Sequence, residues 1–230
     1  MKYKVAITLL TIGLFLISAF GVYTYIENQR YERYLSFQMT SDISRLTTAL
    51  LKNQQIYSDV IDSDIITLEQ AELLYENNFL LARTTQELQD LAVVLKKIEQ
   101  EDISNITATN ASDIGYLFSV FIWDEGEREA VDNEPKVYRF PDTIEFALAQ
   151  DEKEKIELID ELNKGWIDSV VNNNKAFSEE QIFNSDLFFD LYQDNAINSE
   201  FWVDLIVNME IETKEFLTNN YLDKIGTILY

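Results

Sequence analysis

Carboxylates are the one abundant source of reactive side chains in this sequence. It carries 41 Asp and Glu against 18 Lys and Arg, with no histidine and no cysteine. Thiolate nucleophiles, disulfides and Cys/His zinc centres are therefore excluded. So are Ser-His-Asp triads, imidazole general bases and histidine pH switches. Two acids can suffice for glycoside hydrolysis. Yet Glu125/Glu129, Glu157/Glu161 and Glu180 stand at spacings that any solvated helix shows. Asp62-Ser63-Asp64 opens like a calcium loop but lacks the glycine and the closing glutamate that such a loop needs. Gly115, Gly126, Gly165 and Gly226 are isolated, so no glycine-rich loop is present to cradle a phosphate. The expectation is a protein without catalytic residues, resident metal or cofactor, and not an enzyme.

Charge of both signs is densest between Asp124 and Pro141, where Glu125, Glu127, Arg128, Glu129, Lys136 and Arg139 cluster around Pro135. Long irregular segments in compact domains are often functional. This stretch reads as the longest loop of the chain, and those six residues as its expected interaction surface.

The elements that must position such a surface are helices. Only 6 Gly and 2 Pro occur in 230 residues, 47% of which are hydrophobic. Sheet folds draw on far more turn formers. The predicted class is all-α: an N-terminal transmembrane helix running on into an antiparallel helical hairpin and a bundle of about six helices.

Val5 to Ile26 contains no charged residue and, at about 1.5 Å per residue, reaches roughly 33 Å. Lys2 and Lys4 flank one end; Tyr23 and Tyr25 stand at the other, where amphipathic rings prefer the lipid–water interface. The expected topology is a short basic cytoplasmic head (1–4), a transmembrane signal anchor (5–26) in contact with membrane lipid, and the remainder outside the cytoplasm. The alternative is a signal peptide cleaved near Gly21, after which the protein would be secreted.

Beyond the span, Tyr31, Leu35, Met39, Ile43, Leu46, Leu50, Tyr57 and Val60 recur at helical spacing. No Gly or Pro lies between Val22 and Asp62, so one helix is expected to run until Asp62-Ser63-Asp64 breaks it. Thr67 and Gln70 then form a capping-box pattern. Leu74, Leu81, Leu88 and Leu95 follow at intervals of seven in a second helix ending near Gln100, with polar positions at Asn77 or Asn78 and at Thr84 or Thr85. Residues 27–100 read as a hairpin, 101–112 as a polar linker, and 113–230 as a helical subdomain packed on the hairpin. Within the latter, Ile114 to Trp123 predicts a core helix. Pro141 and Thr143 are expected to open a helix through Glu145-Phe146-Ala147-Leu148. Asp151 to Asn172 reads as a charged helix burying Ile159, Leu162, Trp166 and Val170. Ser178 caps another helix, and Asn198 or Ser199 caps a final one carrying Trp202, Leu205, Ile206 and Met209.

The net charge is −23, and removing Lys2 and Lys4 leaves 16 basic against 41 acidic residues, a net −25. Such a surface repels phosphate backbones, so no nucleic acid is expected as a partner. The expected role is a membrane-anchored, non-catalytic interaction or scaffold module that meets another envelope or membrane protein. The alternatives are a ligand-sensing bundle, which would need a separate signalling partner, and an acidic inhibitor or mimic protein.

Overall fold

The computed structural model describes residues 2–131, 144–173 and 192–229. Six α-helices and one two-stranded ribbon are present among these residues. The protein is mostly helical, as its shortage of glycine and proline predicts.

Helix α1 (Lys2–Ser63) is a single uninterrupted helix of 62 residues. Its first part and its last part lie in opposite surroundings. Residues Ile7 to Ile26 are exposed apart from a half-covered Gly13, whereas Ser36, Thr40, Ile43, Leu46, Leu50, Asn53, Tyr57 and Val60 are buried. Tyr31, expected on the buried stripe, instead faces solvent. The helix stops where Asp64 adopts a left-handed φ of 57° while its N–H still reaches the Val60 carbonyl at 3.0 Å.

Strand β1 (Ile65–Thr67) follows, and pairs antiparallel with β2 (Glu145–Ala147), Ile66 facing Phe146. This corrects the expected helix through Glu145 to Ala147. Ile66 is completely buried, and a two-stranded clasp satisfies the backbone on both sides of it. The Leu68 N–H reaches the Ile144 carbonyl at 2.9 Å, and the Leu148 N–H that of Asp64 at 3.0 Å.

Thr67 caps α2 (Leu68–Val94) as its pattern predicts. The Gln70 N–H donates to the Thr67 hydroxyl at 3.1 Å, and the Thr67 N–H to the Gln70 side-chain oxygen Oε1 at 2.9 Å. Helix α2 returns along α1: Asn77 meets Asn53 and Asn78 meets Tyr57, while Leu88 and Leu91 further along α2 share a cleft with Met39 and Leu35 nearer the start of α1. The two helices are therefore antiparallel. Leu74, Leu81 and Leu88 are buried, but α2 ends at Val94, earlier than expected, which leaves Leu95 in the turn. Residues 95–105 are irregular apart from a 3₁₀ turn at Gln100–Asp102.

Helix α3 (Ile106–Val131) overturns two expectations. Residues 106–112 are helical, because Thr107 and Asn110 are not linker residues: both are buried against the core. Residues 124–131, expected as a loop, continue the same helix. Ile114 and Phe118 are fully buried, and Tyr57 and Phe118 lie 6.1 Å apart between ring centroids. Gly115 is a point of close approach, since a Cβ there would sit 2.8 Å from the Phe79 ring.

Helix α4 (Gln150–Asn173) buries Ile156, Ile159, Leu162, Trp166 and Val170, in accord with its pattern. The expected helix capped by Ser178 lies outside the described residues. Helix α5 (Phe201–Asn219) starts after Glu200. Neither Asn198 nor Ser199 caps it: the Ser199 hydroxyl donates instead to the Ala196 carbonyl of the preceding 3₁₀ turn. The short helix α6 (Gly226–Leu229) closes against α3, where the Ile225 N–H donates to Asn110 Oδ1 at 2.7 Å.

Helices α2 and α5 end in the same way. The Lys96 and Lys97 N–H groups reach back to the Val93 and Ala92 carbonyls; those of Tyr221 and Leu222 reach Thr218 and Leu217. Each is a Schellman turn, and each places a non-glycine residue in the left-handed region: Lys96 at φ 56° and Tyr221 at φ 56°. A side chain pays a steric cost there that glycine does not. Lys96→Gly and Tyr221→Gly should each stabilise the fold by about 0.5–1 kcal/mol, a rise of roughly 1–4 °C in melting temperature. Differential scanning calorimetry would show it; a fall in both variants would contradict the strain.

Candidate functional site

Most of the buried polarity of the protein is gathered into small networks at helix contacts. Glu210 on α5 is the most enclosed carboxylate among the described residues, 3% exposed. Its Oε1 accepts from the Ser104 N–H at 2.8 Å, the Ser104 hydroxyl at 2.7 Å and the Lys214 ammonium at 2.7 Å; its Oε2 accepts from the Gln89 amide at 3.0 Å. One side chain thus ties α2, the 95–105 segment and α5 together. Three donors meet Oε1 and one meets Oε2, so the side chain acts as a latch between these elements.

A second network lies where α4 crosses α1. Asp160 accepts from Gln54 at 2.6 Å and Lys164 at 2.6 Å, while the Asn163 amide donates to the Leu50 carbonyl at 3.1 Å and to Gln54 Oε1 at 3.2 Å. A third joins three helices: the Trp166 indole N–H donates to Thr213 Oγ1 at 2.9 Å, and Thr213 lies 3.0 Å from Thr107. Because the Thr213 hydroxyl donates to the Met209 carbonyl at 2.7 Å, the Thr107 hydroxyl must be the donor in that pair.

The fourth network sits in the α1–α2 seam. Asn78 donates to the Tyr57 hydroxyl at 3.1 Å and to the Leu74 carbonyl at 2.7 Å. The polar seam positions read from the sequence are thus interior: Asn78, Thr84 and Thr85 are all buried. Burial pushes the Tyr57 phenol above its ordinary value of 10.0; the Asn78 hydrogen bond opposes this and the Asp160 charge adds to it. The folded state therefore holds the proton at pH values where the unfolded chain releases it. Stability is unaffected below pH 10 and falls above it, by about 1.4 kcal/mol per pH unit from this one residue. Tyr57→Phe should flatten the alkaline limb between pH 10 and 11 in urea titrations; an unchanged limb would contradict the burial.

The expected interaction residues are placed only in part. Glu125, Glu127, Arg128 and Glu129 fall on the last turns of α3, on a helix rather than a loop, and their side chains lie outside what the structure describes. Lys136 and Arg139 lie outside the described residues altogether, as does Glu180. Glu157 and Glu161 are exposed on α4. Among the described residues no group of three or more Asp or Glu is arranged to hold a metal ion.

Surface clefts are shallow. One of about 520 Å³ runs between α2 and α3 past Phe79, Arg83, Gln86, Asn105, Thr109 and Asp113. Asp113 Oδ2 is buried beside Gly226 without a hydrogen bond, the Lys224 ammonium standing 3.6 Å away.

At the end of the bundle nearest the bare part of α1, the α2 turn and residues 192–200 form a collar around α1. Arg30 pairs with Glu27 at 2.9 Å, Arg33 with Asp194 at 3.5 Å and Lys97 with Glu200 at 2.7 Å. Lys97 also lies 5.9 Å above the Trp202 ring, and the Ile197 N–H donates to the buried Ser36 hydroxyl at 3.2 Å. Exposed Tyr31, Tyr34, Val94 and Leu95 stand among these charges.

Sequence reasoning missed Glu210 and Asp160, although each left a signal. Glu210 stands four residues after Ile206 and seven before Leu217, and Asp160 four after Ile156, so both fall on apolar stripes where a solvated acid has no place. No family model, no curated protein and no solved structure matches the chain.

Proposed function

We propose that the chain is a membrane-anchored, non-catalytic helical module: residues 5–26 sit in lipid, and the bundle, outside the cytoplasm, holds another envelope or membrane protein. The observation that carries this reading is the divided character of α1. Its first part is the one helical stretch among the described residues long and apolar enough to cross a membrane, and none of that window is covered by protein. Its last part is the central element of the core. A soluble protein would leave some twenty apolar residues in water, far beyond an ordinary exposed patch. Helical continuity through Gly21 supports an uncleaved anchor over a removed signal peptide. The four donors that hold Glu210 between α2, the 95–105 segment and α5 support an interior built for rigidity.

Alkaline carbonate extraction of the native membrane tests the anchor: full-length protein should stay in the pellet, and unprocessed protein in the supernatant would refute it. A C-terminal reporter should be active only outside the cytoplasm. Crosslinking in the membrane should then capture a stoichiometric protein partner, whereas a solitary monomer would argue against the module.

A sensing role is favoured by one observation, the α2–α3 cleft with Arg83 on its wall and the underpaired Asp113 carboxylate. That pairing suits a small zwitterion. A panel of free amino acids raising the melting temperature, an effect lost in Asp113→Asn, would favour this reading over the first.

A further inference from the structure

We infer that the collar of the bundle rests on the lipid headgroups, so that the turn Val94-Leu95-Lys96-Lys97 is a second, peripheral membrane contact beside the spanning helix. This rests on the anchored reading of residues 5–26 and specifies where the folded part sits relative to the bilayer.

The argument is a matter of counting along one helix. Nothing interrupts α1 between the apolar run and the core, so the axial position of each residue follows from its number. Leu95 and Lys97 share a cleft with Asn28, Tyr31, Glu32 and Leu35, which fixes the α2 turn at the level of residues 28–35. From Ile26 to Tyr31 is about 7.5 Å along the axis at about 1.5 Å per residue. The headgroup layer on each side of a bilayer is roughly 5–8 Å deep. The α2 turn therefore lies at the outer boundary of that layer, and a helix tilt of about 20° toward α2, ordinary for spanning helices, lowers it further.

The side chains at this level are of the kind that interfaces retain. Val94 is 75% exposed and Leu95 39%, although Ala92 and Leu88 before them on α2 are buried. Tyr31 and Tyr34 are exposed at the same height on α1, below them Tyr23 and Tyr25. Arg30, Arg33, Lys96 and Lys97 supply cations at the one level of a strongly acidic chain that would meet phosphates. Their acidic partners Glu27, Asp194 and Glu200 leave the collar without a large positive excess. The fitting surface is accordingly a zwitterionic headgroup layer, approached through aromatic and aliphatic side chains.

The absence of cysteine from the chain allows a direct test. Full-length protein carrying one introduced cysteine, Leu14→Cys, Val94→Cys or Asp62→Cys, is labelled with a polarity-sensitive fluorophore and placed in phosphatidylcholine nanodiscs. Quenching is read with nitroxides on the lipid headgroup or on the acyl chain. Position 62 lies about 54 Å beyond Ile26 along α1, well clear of lipid. The expected result is acyl-chain quenching at Leu14, headgroup quenching at Val94 several-fold stronger than at Asp62, and none beyond background at Asp62. Equal quenching at Val94 and Asp62, with Leu14 still quenched, overturns the seating and leaves the anchor intact. An unquenched Leu14 overturns both. A blue-shifted but unquenched Val94 label means that protein, a second copy or a partner, covers the turn, and overturns the lipid contact.

Discussion

Glu210→Ala should lower the melting temperature by roughly 6–20 °C, the equivalent of about 3–5 kcal/mol in a protein of this size. The loss has two parts. Lys214, half exposed, can turn its ammonium into water at little cost. Gln89 has no such exit, since it is 1% exposed and loses its acceptor. Stranding a buried donor costs about 1–3 kcal/mol, and truncating a buried side chain leaves a cavity besides. Glu210→Gln provides the discriminating control. Gln89 Oε1 has no hydrogen-bond partner, so a flipped Gln89 amide could accept from the new amide nitrogen. The glutamine variant should therefore lose only about 1–2 kcal/mol, chiefly for the charge-assisted bonds. Equal losses in the two variants would show that the side chain acts through volume and not through its hydrogen bonds.

Trp166→Ala is the second large effect, expected at about 3–5 kcal/mol. The indole of Trp166 on α4 is 1% exposed and bonded to Thr213 on α5, and its removal leaves a cavity in the core. The hydrogen bond to Thr213 allows a finer dissection. Trp166→Phe retains most of the packing but removes the donor, and should cost about 1–2 kcal/mol. Thr213→Val in the Trp166→Phe background should then cost less than in the wild type, because part of its bond network is already gone. Strict additivity in this double-mutant cycle would deny that Trp166 and Thr213 act as one unit. Urea denaturation of the detergent-solubilised full chain reads all four proteins on one scale.

The parts of the fold legible in the sequence were those governed by local rules. The long α1, its end at Asp62-Ser63-Asp64, the Thr67–Gln70 capping box and the buried stripe of α4 all follow from periodicity, breakers and caps within a few residues. What escaped depended on partners far along the chain. Glu145 to Ala147 form a strand because Ile65 to Thr67 offer an edge some 80 residues away, a pairing that no local window contains. Thr107 and Asn110 look like turn residues, yet α3 begins at Ile106 because their polar groups find Thr213 and Ile225 across the bundle. The loop expectation for Glu125 to Glu129 failed for a related reason: charged residues are good helix formers, and α3 runs on through them. The latch residues Glu210 and Asp160 were visible only as acids misplaced on apolar stripes, which is a sign of burial and not of purpose.

The unbroken run of α1 has a mechanical corollary. The half of this helix that the core grips and the half that lies bare are one stiff rod, with no glycine or proline between Val22 and Asp62 to absorb a bend. A lever of some thirty residues is about 45 Å long, so a change of 10° in its inclination sweeps the far end by roughly 8 Å. With the rod seated in a bilayer, thickening or thinning that bilayer would raise, lower or lean the whole bundle as a body, and whatever grips its top would be pulled along.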